Sequence, residues 1–370
     1  MKFTIDKTKF LNLLKLPTNI VDNSNINPVL TGILIECKNK KLTVISSNNN
    51  LSIHAQCEDA DILKEGKILI RGKLLFNIVS KLKESNVSFE VIDNSIIRIS
   101  TNKFSSDINL LDDVGYPSIN FNYDNWTKIN IDSSFLKNIT NKLINTTNLL
   151  LDRSTPLNGI LFDSTRLEGF VECVGTDGHH LSYLKTSFIG EKFKIIVSVE
   201  NLRNITELIN KDQEVIFYLQ NKQLIIQIQQ TLFNCRLIEG DYPSAIKAIE
   251  APQQFQFSIN KQELLNAIER GIVLASAEKK PSILCNITNN LIKISCRSIE
   301  YGSSYEEIPI TNYTGSPINV SFNVKYLMDL IKNIDDSDVL FEFTESNKPF
   351  FIKDAKNPNY TSLILPIRII

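Results

Sequence analysis

Three times along the chain, a short alternation of apolar and polar residues runs straight into a segment with apolar positions three or four apart. These are Phe3-Thr-Ile-Asp6 into 7–16, Ile129-Asn-Ile-Asp132 into 133–145, and Phe257-Ser-Ile-Asn260 into 261–270. A period of two predicts a half-buried strand, and a spacing near 3.6 predicts an amphipathic helix. The starts lie 126 and then 128 residues apart, and Tyr116-Pro117-Ser118 recurs after 126 residues as Tyr242-Pro243-Ser244. That step is too long for a solenoid, whose units run roughly 20–50 residues, and matches a whole domain. The pattern therefore predicts three tandem copies of one α+β domain, over 1–125, 126–252 and 253–370.

Smaller landmarks recur inside each copy. Pro28-Val-Leu-Thr-Gly32 resembles Pro156-Leu-Asn-Gly159, each just before a strand, and the third copy keeps Pro281. Alternating strands follow from Leu42, Leu167 and Leu291. A second helix is predicted in each copy, at 73–83, 200–211 and 324–333. Paired strands come next, 87–92 with 96–100 and 215–219 with 224–229, turning at Asp93-Asn94 and Gln220-Asn221.

Composition narrows the function more by exclusion than by signal. With 370 residues and 42% hydrophobic content, three domains of this size can each bury a core. No apolar run is long enough to span a bilayer, and the opening Met-Lys-Phe-Thr lacks the apolar stretch of a signal peptide. The six cysteines are scattered without a Cys-x-x-Cys pair, which argues against zinc or disulfides and for a reducing cytoplasm. Phosphate-loop, dinucleotide and nucleophile-elbow patterns are all missing, and only three histidines are available for acid–base work. No metal, cofactor or catalytic residue is expected.

Net charge is −1, yet charge is not evenly spread. The six predicted helices hold 14 Lys and Arg against 5 Asp and Glu, leaving the remaining chain at −10. In 133–145 the stripe Phe135, Leu136, Ile139 and Leu143 faces away from Lys137 and Lys142. In 73–83, Leu74, Leu75, Ile78, Val79 and Leu82 oppose Lys73, Lys81 and Lys83. Lysines often do no more than solvate an exposed helix face. Six faces biased one way would also attract a phosphate backbone without reading bases.

The sharpest local motif is Thr176-Asp177-Gly178-His179-His180-Leu181. Asp-Gly predicts a tight turn between strands. The competing readings are a structural turn, a turn lining a binding pocket, and a hydrolase centre pairing Asp177 with His179 or His180. Adjacent histidines on a strand point to opposite faces, which disfavours a shared metal.

Three copies, this motif, the opening Met1-Lys2-Phe3-Thr4 and the ending Leu365-Pro366-Ile367-Arg368 together resemble the bacterial β sliding clamp family, over the whole chain. The resemblance implies a ring of six domains made by two chains head to tail, with helices lining the hole around duplex DNA and sheets outside. Lys9, Lys15, Lys73, Lys81, Lys137, Lys142, Arg203 and Lys332 would then face DNA. It also implies a groove for short Gln-Leu-x-Leu-Phe peptides of the replicative polymerase, the clamp loader and other DNA enzymes. The matching positions are Leu157, Thr176, Gly178, His179, His180, Leu181, Pro243, Lys247, Ala248, Leu363, Leu365, Pro366, Ile367 and Arg368.

The chain departs from the family pattern at a few places. His180 stands where the family often has Arg, Lys247 where some relatives have Arg, and Ile370 extends the ending. Residues 22–27 lack an arginine that some relatives use on DNA. For subunit contact, the strand around 104–110 and the region around 272–274 are the candidate edges, with Phe104, Ile108 and Leu274 as apolar contacts. Two alternatives from other classes remain, a monomeric three-domain interaction scaffold and the hydrolase centred on Asp177/His179.

Overall fold

The computed structural model describes residues 1–21, 27–147, 155–209, 213–243, 249–276, 278 and 281–367. The readings made for Ser244, Lys247, Ala248, Arg368, Ile370 and residues 22–26, 210 and 211 lie outside the described residues. One element order repeats three times, with one strand more, β5, in the first. The first pass is β1 (Lys2–Asp6), α1 (Lys7–Ile20), β2 (Gly32–Lys38), β3 (Lys41–Ser47), β4 (Leu51–Cys57), β5 (Asp61–Lys64), β6 (Gly66–Arg71), α2 (Gly72–Lys81), β7 (Asn86–Asp93), β8 (Ile96–Ser100) and β9 (Ser105–Asn109). The second is β10 (Thr127–Asp132), α3 (Ser133–Leu143), β11 (Gly159–Asp163), β12 (Phe170–Thr176), β13 (His180–Ser187), β14 (Lys194–Ser198), α4 (Val199–Thr206), β15 (Glu214–Gln220), β16 (Gln223–Ile228) and β17 (Thr231–Arg236). The third is β18 (Phe255–Asn260), α5 (Lys261–Ala275), β19 (Ser282–Ile287), β20 (Leu291–Ser298), β21 (Gly302–Thr311), β22 (Ile318–Asn323), α6 (Val324–Lys332), β23 (Asp338–Phe343), β24 (Phe350–Lys353) and β25 (Tyr360–Ile364).

The repeated strand-to-helix step has a local cause. Asp6 accepts from the amides of Thr8 and Lys9 at 2.9 and 3.1 Å, Asp132 from Phe135 at 2.8 Å, and Asn260 from Glu263 at 3.1 Å. Each satisfies helix N–H groups that have no partner inside the helix. The residue after the cap also matters. In the first and third copies it is a lysine, and its ammonium donates to a carbonyl past the end of the second helix: Lys7 to Leu82, Lys261 to Ile334. These two cations close helix ends.

Some bounds differ from the sequence reading. Helix α1 runs on through Pro17 to Ile20, because Leu16, Pro17, Thr18 and Ile20 are all buried and packing outweighs the lost N–H. Helix α5 extends to Ala275, so Ile272–Leu274 belong to its last turn and form no strand edge. Leu74 is 41% exposed and outside the α2 stripe, which Leu75 and Val79 carry. Both hairpin turns sit one residue later than read, at Asn94-Ser95 and Asn221-Lys222. The strand read from Leu167 starts at Phe170, after a turn at Gly169 with φ +76°.

The chain packs as two compact units, residues 1–136 with 200–237, and 137–199 with 238–370. The first holds a five-stranded sheet in the order β5-β1-β7-β8-β9 and an eight-stranded one, β10-β15-β16-β17-β4-β3-β2-β6. Its core centres on Phe3, Phe10 and Phe89, with Phe3 stacked on Phe89 at 4.7 Å, under α1 and α2. The second holds one twelve-stranded sheet, β14-β11-β12-β13-β25-β24-β23-β18-β21-β20-β19-β22. Phe257 stacks on Phe341 at 4.8 Å and Phe343 on Phe350 at 4.6 Å.

Within each unit the last strand of one copy is added to the fourth strand of the copy before it. β17 joins β4, pairing Thr231 with Ala55 and Cys235 with Leu51. β25 joins β13, pairing His180 with Ile364 and Leu184 with Tyr360. The corresponding strand of the first copy, β9, is outermost in its sheet. β21, the fourth strand of the last copy, pairs along its length with β20 but meets β18 only at Ile310 and Thr311.

Candidate functional site

The Thr176–Leu181 segment contains the three-residue connection between β12 and β13, with Thr176 and Leu181 paired across it. Asp177 Oδ1 accepts from the amides of His179 and His180 at 2.8 and 3.0 Å. Thr176 Oγ1 donates to the His180 carbonyl at 2.7 Å and accepts from the Gly178 amide at 3.1 Å. Gly178 has φ +89°, a conformation that favours glycine. The turn holds His179 outward and seats Leu181, 1% exposed, in an apolar cluster.

That cluster joins Leu161, Val174, Leu181, Tyr183, Ile196, Phe351 and Leu363, with Ile238, Tyr242 and Ile249 against it. Leu181 and Leu363 are directly opposite across β13 and β25. The Leu365 amide donates to the His179 carbonyl at 2.9 Å, and that of Ile367 to Ser321 at 2.7 Å, so the tail runs on past the sheet. Leu365 is 38% exposed, and Pro366 and Ile367 are half-buried. Leu157 is half-buried in a 3₁₀ turn, Pro156–Asn158, and Pro243 is exposed. Tyr242 links them, its hydroxyl donating to Gly159 at 3.2 Å and to Val174 at 2.9 Å. The repeated Tyr-Pro-Ser landmark has this purpose in the first copy too, where the Tyr116 hydroxyl donates to Ile45 at 3.3 Å.

Two of these positions are not what the sequence suggested. His180, expected to line the peptide groove, is 2% exposed. Its Nδ1 is 2.8 Å from Asp177 Oδ1, its Nε2 is 3.2 Å from the Asn145 carbonyl, and its ring stacks on Tyr326 at 4.2 Å. Burial works against ionisation of Asp177, but the His180 ring and the two turn amides outweigh it and hold the carboxyl down at about 2. Asp177 is thus bonded to the His180 ring and meets His179 only through its backbone, which removes the geometry of an Asp177/His179 hydrolase centre. Among the described residues no group of three or more His, Cys, Asp or Glu is placed to share a metal ion. Tyr326 and Asn145, which hold the His180 ring, were not singled out in the sequence, and Tyr242 was marked there only by its recurrence.

Beneath the cluster lies a buried charge. Glu172 is fully buried and accepts from Tyr183 Oη at 2.6 Å and from Arg166, whose Nη1 also reaches Glu250 at 2.7 Å. A carboxylate this deep is tolerated only with such partners.

The helix cations divide. Lys9, Lys15, Lys81, Lys137, Arg203 and Lys332 are exposed and Lys73 is half-buried. Lys9 pairs with Asp59 at 3.0 Å across a well-solvated gap, which contributes little. Lys142 must be removed from the lining set. It is 7% exposed, with Nζ 2.7 Å from both the Asn333 carbonyl and Asp335 Oδ2, and 4.7 Å from the Tyr360 ring. At the expected subunit contacts, Phe104 is 37% exposed beside the outermost strand, whereas Ile108 packs on the core and Leu274 is half-buried. Val273, 74% exposed, is the open apolar residue of that helix turn. Among the described residues no helix is long and apolar enough to cross a membrane.

Comparison with known proteins agrees over the whole chain. Residues 1–120, 131–244 and 248–368 match the N-terminal, central and C-terminal domains of the DNA polymerase III beta subunit, in that order. The beta sliding clamp of Staphylococcus epidermidis is 26% identical over 385 residues, covering 100% of this chain and 99% of the relative. That of Streptococcus pneumoniae is 26% identical, covering 99% of each. The solved structure of the Bacillus subtilis DNA polymerase sliding clamp superposes with a TM-score of 0.93 at 25% identity, and the Streptococcus pneumoniae beta chain with 0.94 at 26%, each covering 100% of both chains. With three family domains matched in order on a fold that carries the same triplication, this chain belongs to the DNA polymerase III β subunit family, the bacterial sliding clamps.

Proposed function

We propose that two copies of the chain close head to tail into a ring of six domains, residues 1–125, 126–252 and 253–370 of each, around duplex DNA. The ring is a non-catalytic tether working in the cytoplasm. The groove over Leu181 and Leu363 takes short apolar peptide segments of the replicative polymerase, the clamp loader and other DNA enzymes, with Lys247, Ala248 and Arg368 completing it. The observation that carries the ring is the serial strand addition: β17 onto β4, then β25 onto β13. The next step in that series is β9 of one copy onto β21 of another. It would cover two open strand edges that are otherwise a liability, with Phe104 and Val273 as apolar contacts. Exposed Lys15, Lys81, Lys137, Arg203 and Lys332 give a lining that attracts phosphates and reads no bases. Weak contact is enough, because topology holds the DNA.

Sedimentation equilibrium tests the ring, with a mass twice 42.0 kDa expected for the intact chain and a shift to 42.0 kDa for Phe104→Asp combined with Val273→Asp. A wild-type mass of 42.0 kDa would put the monomeric scaffold first. Anisotropy of a labelled Gln-Leu-Ser-Leu-Phe peptide tests the groove. Binding at about −8 kcal/mol, roughly micromolar, should vanish when the chain is cut after Leu363.

A further inference from the structure

We propose that His180 is a positioning residue of the groove, held as an imidazolium whose two N–H groups tie the Thr176–Leu181 turn to the carbonyl of Asn145, so that peptide affinity depends on its protonation. The proposal rests on the groove reading above.

The ring leaves little choice of state. A carbonyl oxygen can only accept, so the 3.2 Å contact to Asn145 needs a hydrogen on Nε2. An ionised carboxylate can only accept as well, so the 2.8 Å contact to Asp177 needs one on Nδ1. A neutral imidazole carries a single N–H and can serve one of them, leaving a lone pair facing an acceptor. With the ring 2% exposed, water has little room to repair that loss. Its face is covered by Tyr326 at an interplanar angle of 12°, an arrangement that favours a cationic ring.

Each element packed on the ring supplies a named group. The turn gives Asp177, and the 3₁₀ turn Ile144–Thr146 gives the Asn145 carbonyl. Helix α6 gives Tyr326, whose phenol burial and then Asp177 push up, and Asp329. Burial raises the Asp329 carboxyl, with His180, Lys332 and Lys325 opposing. The Asp177 carboxylate bonded to the ring and the Asp329 carboxyl on α6 both favour its charged form. The turn it anchors carries Leu181 into the groove floor and offers the His179 carbonyl to Leu365. Losing the ring proton therefore loosens the groove at both walls.

The test is anisotropy of the Gln-Leu-Ser-Leu-Phe peptide from pH 6 to 9 at fixed ionic strength, with ring-nitrogen NMR of the ligand-free chain, whose three histidines make assignment simple. Wild-type affinity should fall about tenfold across that range, the scale of one charged hydrogen bond. His180→Arg, charged throughout, should bind with no slope, and His180→Gln weakly with no slope. His179→Asn, whatever its affinity, should keep the wild-type slope, and Asp329→Asn should move it to lower pH. A flat wild-type profile, a slope that survives in His180→Arg, or a His180 ring with one N–H at pH 6 would overturn the proposal. If neither wild type nor His180→Arg binds peptide at any pH, the groove reading itself has failed and takes this one with it. In that case NMR still reports the ring's protonation by itself.

Discussion

Two turns of this chain have nearly the same backbone chemistry and different contents. Between β3 and β4, Asn48 Oδ1 accepts from the amides of Asn50 and Leu51 at 3.2 and 2.9 Å. Between β12 and β13, Asp177 Oδ1 accepts from His179 and His180 in the same pattern. Asn49, φ 75°, corresponds to Gly178, φ 89°. The Asn50 carbonyl accepts from the Arg236 amide at 3.0 Å, as that of His179 does from Leu365. Each turn thus ends where an added strand from the next copy leaves the sheet. The difference is the fourth residue. Leu51 is buried and needs no partner, whereas His180 in its place needs two acceptors and an aromatic lid. The turn is a device of the domain, and the side chains around it are what set the second copy apart.

Asp177→Ala should separate the two turns most. It removes the turn acceptor and strands a buried ring, for a loss on the order of 3 kcal/mol, while Asn48→Ala should cost about 1 kcal/mol, the value of a local cap. Urea midpoints measure both, and equal losses would mean His180 is not charged. Acid should come next. The Asp177 carboxyl is depressed in the folded chain, so its contribution is full above the usual carboxylate range and is lost as pH falls through about 2. The loss should be on the order of 2 kcal/mol between about pH 4 and 2, and absent in Asp177→Asn by thermal melting. Gly178→Ala should cost about 1 kcal/mol, since an L-residue is strained at that φ. Asn49→Gly, which relieves the equivalent strain, should stay within about 0.5 kcal/mol of wild type in the same assay.

Much of the fold was legible in residues. The three starts at Phe3, Ile129 and Phe257 were visible because alternation, a cap at Asp6, Asp132 or Asn260 and a 3.6 period are all local. The Tyr116 and Tyr242 landmarks were legible as a period but not as a purpose, since their acceptors lie 71 and 68 residues away. The candidate site was half legible. The motif and tail residues do meet at the β13–β25 pairing, yet His180 as a buried link, Tyr326 as its lid and Lys142 as an interior cation could not be read from spacing. The lid and the interior cation involve partners from another copy, Asp335 and Asn333 for Lys142, and the link needs Asn145, 35 residues away.

By itself the sequence determined the triplication, the strand-to-helix steps and the surplus of cations on the helices, because these follow from neighbours a few residues apart. Only the tertiary structure decided which cations stay in solvent, which strand edges remain open and which histidine is buried. Those outcomes depend on long-range strand registers, where a slip of one residue would turn every side chain to the opposite face.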